Sequence, residues 1–260
     1  MKSKRKLENK TVLITGQLSE ILKTCALIAS KEGANVIIMD VMSSENEIIM
    51  EEIRKESQNS NILFIPCDIS NFDEVETTLK RVKHLFGSID VALNNTVIDC
   101  EVNSDGSLSK EAWLKIVGLN LNGVFNCMSH QLQEMAKQKN GVILNMASAS
   151  ANYDFSKSAH YTATKHGIIG LTKTAALEYA NKGIRINALC PGGSELPIVD
   201  KMEMTVFTPS SRQQHTLNLT AIKKTQKAKE IAHGFVFMAS EKSPFITGTA
   251  VEIDGGYLSQ

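Results

Sequence analysis

The feature that most constrains this chain is an alternation of short apolar runs with longer, helix-patterned segments, sustained along its length. Thr11-Val12-Leu13-Ile14-Thr15 precedes a helical pattern over 20–32. Asn35-Val36-Ile37-Ile38-Met39 precedes a charged helix over 45–57. Ile62-Leu63-Phe64-Ile65 precedes a helix that runs to Phe86, with Ser70 as its expected N-cap. The pattern continues with Val91-Ala92-Leu93, a long helix over 109–137, a strand at 142–146, a helix over 158–179 and a strand at 185–189. A helix over 227–238 and a strand at 250–253 close it. The strand runs are continuously apolar, which marks strands buried on both faces. This predicts an α/β fold: a three-layer, doubly wound, Rossmann-like parallel sheet with helices on both sides. No repeat, linker or low-complexity tract interrupts it. Residues 1–260 therefore read as a single domain, with a basic leader over 1–8 and a least regular segment over 194–226.

Ligands of such sheets bind beyond the carboxyl ends of the strands. Those ends carry Thr15-Gly16, Asp40, Asp68, Asn94-Asn95, Ser148 and Pro191-Gly192. In the helix over 158–179, Tyr161 and Lys165 are four apart and share a face. A phenol titrates at about 10, and a nearby ammonium lowers that value by favouring the phenolate. The pair can make a tunable acid/base. Alone, it could equally be a half-buried tyrosine beside a solvated lysine.

Composition removes several classes. Lys plus Arg and Asp plus Glu are both 28, so no basic excess points to nucleic acid. The five cysteines form no CxxC pair, which argues against zinc and a disulfide framework and for reduced thiols in the cytoplasm. The six histidines form no HExxH, and no catalytic metal is expected. No apolar run reaches the roughly 18 residues of a membrane span. The basic start meets Glu8 and Lys10 rather than an apolar segment, unlike a signal peptide.

With these motifs in order, the chain closely resembles the short-chain dehydrogenase/reductase family over nearly its whole length. The resemblance rests on Thr15-Gly16, Asp40, Asp68-Ile69, Asn94-Asn95, Asn120, Ser148 thirteen residues before Tyr161, Tyr161-x-x-x-Lys165, Pro191-Gly192 and Asp254-Gly255-Gly256. It implies an oxidoreductase interconverting a small-molecule alcohol and a carbonyl. Tyr161 would be the general acid/base and Ser148 would hold the reacting oxygen. Lys165 would lower the tyrosine pKa and hold the nicotinamide ribose. The Asn120 backbone would hold a proton-relay water. Gly16, Asp40, Asp68, Ile69, Asn94, Tyr161, Lys165, Pro191 and Gly192 would contact the cofactor. Asp40 suits two ribose hydroxyls and would repel a 2′-phosphate, and neither Gln17 nor Val41 supplies a cation; this favours NAD over NADP. The helices over 109–137 and 158–179 are apolar on more than one face. That fits the family habit of pairing them in homodimers or homotetramers.

The chain also departs from the family pattern. Where the family has Thr-Gly-x-x-x-Gly-x-Gly, this sequence reads Thr15-Gly16-Gln17-Leu18-Ser19-Glu20-Ile21-Leu22. Glu20 puts an anion in the first helical turn, where pyrophosphate would sit, with Ser19 as a plausible cap. Leu22 adds bulk where little room is expected. Thr96-Val97 stands for Ala-Gly, and Leu196 for a threonine. Met202, Met204, Phe207 and Pro209 would give an apolar wall to the substrate lid. Met128, Met135 and Met146 fall on core elements. Two readings follow: an NAD-dependent enzyme, or a scaffold with weak or no dinucleotide binding that acts in assembly.

Overall fold

The apolar runs form seven strands: β1 (Thr11–Thr15), β2 (Asn35–Asp40), β3 (Ile62–Pro66), β4 (Val91–Asn94), β5 (Gly141–Met146), β6 (Ile184–Pro191) and β7 (Ala250–Ile253). They make one parallel sheet in the order β3-β2-β1-β4-β5-β6-β7. The chain winds outward from β1 in one direction, then restarts beside it with β4. A crevice therefore opens between the carboxyl ends of β1 and β4. The computed structural model describes residues 5–57, 61–96, 108–149, 159–192 and 220–259.

Helices α1 (Glu20–Lys31), α2 (Ser44–Ser57), α3 (Phe72–Phe86), α4 (Lys110–Ile116), α5 (Val124–Gln138), α6 (Ala159–Tyr179) and α7 (Ala228–Ala239) cover the two faces. Alternate strand residues divide between two cores. Val12, Ile14, Val36 and Ile38 pack with α1, α2 and α7 through Leu22, Ile53 and Phe235. Leu13, Ile37 and Met39 pack with α3, α5 and α6 through Leu79, Cys127 and Ile168. Met128, Met135 and Met146 belong to these cores, as expected for packing residues. Among the described residues, no helix is long and apolar enough to cross a membrane.

Two elements differ from the sequence expectation. The α3 cap is Asn71 rather than Ser70, its side chain accepting the Glu74 N–H at 3.2 Å. Ser70 instead donates its N–H and hydroxyl to Asp68 Oδ1 at 2.9 and 2.7 Å. A carboxylate two residues back outcompetes the helix for that serine. The long helix is also not uniform. Ser109 caps it, but Val117–Gly123 between α4 and α5 has π-helical spacing. A π turn shifts the hydrogen-bond register and marks local function or strain.

Candidate functional site

The first side of the crevice is built at the end of β1. Gly16 has φ +93°, and a Cβ there would lie 1.4 Å from the Asn95 carbonyl oxygen. Only glycine lets the β1 and β4 ends approach this closely. The chain then turns Leu18 into the core, and its N–H donates to Asp40 Oδ2 at 2.8 Å. Asp40 is itself buried. Its Oδ1 accepts the Val41 N–H at 2.8 Å, and its Oδ2 also accepts the Asn46 side-chain amide at 2.9 Å. Burial pushes the Asp40 carboxyl above its ordinary value, and these hydrogen bonds pull it back. A cleft of about 200 Å³ opens here, lined by Gly16, Asp40, Asn46, Asp68, Ile69 and Thr96 among others. Among the described residues, no lysine or arginine lines it.

Next to the cleft, α1 starts at Glu20, which is exposed. Ser19 holds the cap position with extended backbone, but its side chain caps nothing, contrary to expectation. The first-turn amides of α1 thus receive no acceptor from it. Leu22 is fully buried on the α1–α7 side of the sheet, so its bulk is absorbed by the core rather than by the cleft.

The second side holds Tyr161 and Lys165. Lys165 is fully buried, with its Nζ 5.5 Å from the Tyr161 ring centroid. Nζ donates to the Thr96 carbonyl at 2.9 Å and the Met146 carbonyl at 3.0 Å, and so is slung between the ends of β4 and β5. Burial lowers the lysine from 10.5 to about 7. Ser148, just past β5, is half-buried, and its backbone hydrogen-bonds the Cys190 thiol of β6. Asn120 is fully buried in the π turn, where its carbonyl accepts the Thr96 hydroxyl at 2.9 Å. Pro191 pairs with Ile253, and the Gly192 N–H donates to the Ile253 carbonyl at 2.9 Å. A Cβ on Gly192 would come within 2.7 Å of the Asp254 Cα, so that contact also demands glycine.

The Asn94 side chain has a structural task of its own. The Asn94 side chain does not reach the cleft; it is fully buried in an amide network. Asn94 Oδ1 accepts from the Thr15 hydroxyl at 2.9 Å and from the Gln131 amide at 2.8 Å. Its own amide donates to Gln131 at 2.9 Å and Asn145 at 3.0 Å, and Asn145 donates to Thr172 at 2.9 Å. A buried amide must find partners, and here these belt β1, β4, α5, β5 and α6 together. Sequence reasoning missed Gln131, Asn145 and Thr172 in this belt, and Asn46 beside Asp40. No local pattern marks them, since their partners lie far away in sequence. Leu196, Met202, Met204, Phe207 and Pro209 lie outside the described residues.

The residues present fit a dinucleotide. Asp40 and Asp68 flank the cleft, Gly16 removes side-chain bulk from its floor, and the uncapped α1 start supplies amides for an anion. Glu20 is the one group of opposing sign at that start.

Comparison with known proteins agrees with this geometry. A family model described as enoyl-(acyl carrier protein) reductase matches residues 17–258. The short chain dehydrogenase/reductase astE of Aspergillus oryzae is 32% identical over 253 residues, covering 96% of this chain and 95% of its own. The crystal structure of levodione reductase superposes with a TM-score of 0.91 at 30% identity, covering 97% of this chain and 99% of that one. ElxO, solved with NADP bound, superposes at 0.86 with 32% identity, covering 96% and 99%.

Proposed function

The chain belongs to the short-chain dehydrogenase/reductase family, and from that premise we propose that it is an NAD(H)-dependent oxidoreductase interconverting an alcohol and a carbonyl. The family binds a nicotinamide dinucleotide, which supplies or accepts the hydride. Tyr161 protonates the carbonyl oxygen or deprotonates the alcohol. Lys165 favours the phenolate through its charge and holds the ribose. Ser148 donates to the reacting oxygen and steadies developing alkoxide charge. The observation that carries this reading is the buried Lys165 ammonium, held by two carbonyls beside the Tyr161 ring. Burying a cation is costly and needs compensation.

Asp40 at the end of β2, and a cleft lined by no lysine or arginine among the described residues, support NAD. The NADP-bound relative is the observation on the other side. Calorimetry with NADH and, separately, NADPH decides between them. Micromolar NADH binding with much weaker NADPH is expected, and the reverse order would overturn the NAD assignment. Tyr161→Phe should keep NADH affinity but lower kcat by about 10²–10⁴ on alcohols and ketones. No binding of either nucleotide at millimolar concentration, by folded protein, would overturn the enzyme reading in favour of an assembly scaffold. The same reading has the protein working as a homo-oligomer paired through α5 and α6.

A further inference from the structure

We propose that Thr96 is a positioning residue of this site, its hydroxyl fixing the π turn to the end of β4 so that its own carbonyl stays aimed at Lys165. The inference rests on the reading of Tyr161 and Lys165 as the acid/base pair. Thr96 contacts both halves of the cluster. Its carbonyl accepts from Lys165 Nζ at 2.9 Å, and its hydroxyl donates to the Asn120 carbonyl at 2.9 Å. Thr96 is 1% exposed and Asn120 and Lys165 are 0% exposed, so these bonds are made away from water.

A carbonyl can hold an ammonium only while its peptide plane keeps its orientation. Thr96 is fixed on two sides: Gly16 lies against the carbonyl of the preceding Asn95–Thr96 peptide, and the Thr96 hydroxyl ties the residue itself to the π turn. The resemblance puts alanine at this position and gives the Asn120 carbonyl to a water; here a hydroxyl of the chain itself bonds that carbonyl. Among the described residues, the titratable groups facing Lys165 are Tyr161 on its own helix and Cys190 on β6, while β4 and β5 present backbone carbonyls. Cys190 in turn feels Glu252 and Asp254. Among the described residues no carboxylate bonds the ammonium directly, and the Thr96 and Met146 carbonyls hold its charged form.

Losing the hydroxyl frees the Thr96 peptide, weakens one acceptor of the ammonium and favours the neutral amine. Less ammonium beside Tyr161 then raises the phenol's pKa. The test compares Thr96→Val, which keeps the shape without the hydroxyl, with Thr96→Ser, which keeps the hydroxyl. The Lys165 signal is titrated by NMR in ligand-free protein labelled at lysine Cε, and assigned with Lys165→Arg. The midpoint is expected to fall by about one pH unit in Thr96→Val and to return in Thr96→Ser, the size of one charge-assisted hydrogen bond. The rising limb of kcat/KM against pH for alcohol oxidation should move to higher pH in Thr96→Val only. If Thr96→Val does not fold, Thr96→Ala must give the same shift. An unchanged Lys165 midpoint in the folded variant, or no recovery in Thr96→Ser, overturns the proposal. Absence of turnover in the wild type would sink the redox reading instead, and leaves the NMR comparison to decide on Thr96.

Discussion

Lys165 shows how a single residue can be costly to the fold and useful to the site. Its value falls from an ordinary 10.5 to about 7 on burial. Between those two pH values the unfolded chain binds more protons than the folded one. The cost of the buried charge is therefore fully present below about pH 7 and is relieved as pH rises towards 10.5. Lys165→Met should thus compare most favourably with wild type at pH 6, and less and less so towards pH 10. The gap corresponds to about 5 kcal/mol at most. The Thr96 and Met146 carbonyls left without their donor cost about 1–3 kcal/mol each, a penalty independent of pH. The slope of the difference is therefore the readout rather than its size at one pH. Urea denaturation of both proteins at pH 6, 8 and 10 measures it. A difference that stays constant with pH would mean that Lys165 is not desolvated in the folded chain.

At the scale of elements, the start of α1 carries the sharpest conflict in the molecule. An uncapped helix N-terminus attracts anions, and here Glu20 is already such an anion. It stabilises α1 and opposes the phosphates of a dinucleotide. Glu20→Gln should tighten NADH binding about two- to tenfold at low salt, with the gain shrinking as salt screens the charge. Calorimetry at two ionic strengths checks this, and equal affinity at low salt would show that Glu20 turns away from the phosphates. Leu22 is the wrong residue to change for the same purpose, because it fills the core. That distinction was not legible in the sequence, where Glu20 and Leu22 look like two equal losses of glycine. Elements were legible where one residue type decides them: β1 to β7 through continuous apolar runs, and the Tyr161–Lys165 face through helical spacing. The capping of α3 was not, because Ser70 and Asn71 are both good caps and only the Asp68 carboxylate chooses between them. The π turn was not legible either: Gly118, Asn120, Asn122 and Gly123 are weak helix formers, but no residue type specifies a shift to π spacing. The amide belt around Asn94 was not legible either, because its partners Gln131 and Asn145 come from α5 and β5, and no local motif records them.

At the scale of the whole molecule, charge and apolar surface point the same way. Formal net charge is zero, so copies of the chain do not repel one another at long range. Large apolar side chains stand exposed on neighbouring helices: Phe125 on α5 at 48%, Leu177 on α6 at 84%, and Trp113 and Leu114 on α4 at 40% and 58%. Fully burying such a side chain is worth about 1.5–3 kcal/mol, and the exposed part of each carries its share of that, which favours pairing of the helix faces that bear them. The wild type should therefore sediment as a dimer or tetramer at micromolar concentration. Phe125→Glu combined with Leu177→Glu should give monomers. Each substitution sits on an exposed position, so the monomer's own core stays intact. The association should also persist in high salt, because apolar contact rather than ion pairing holds it. Sedimentation velocity at low and high salt separates these cases. A wild type that is monomeric at every concentration would mean that these side chains serve the monomer, and the pairing through α5 and α6 would be wrong. Assembly that survives both substitutions would place the interface elsewhere on the surface.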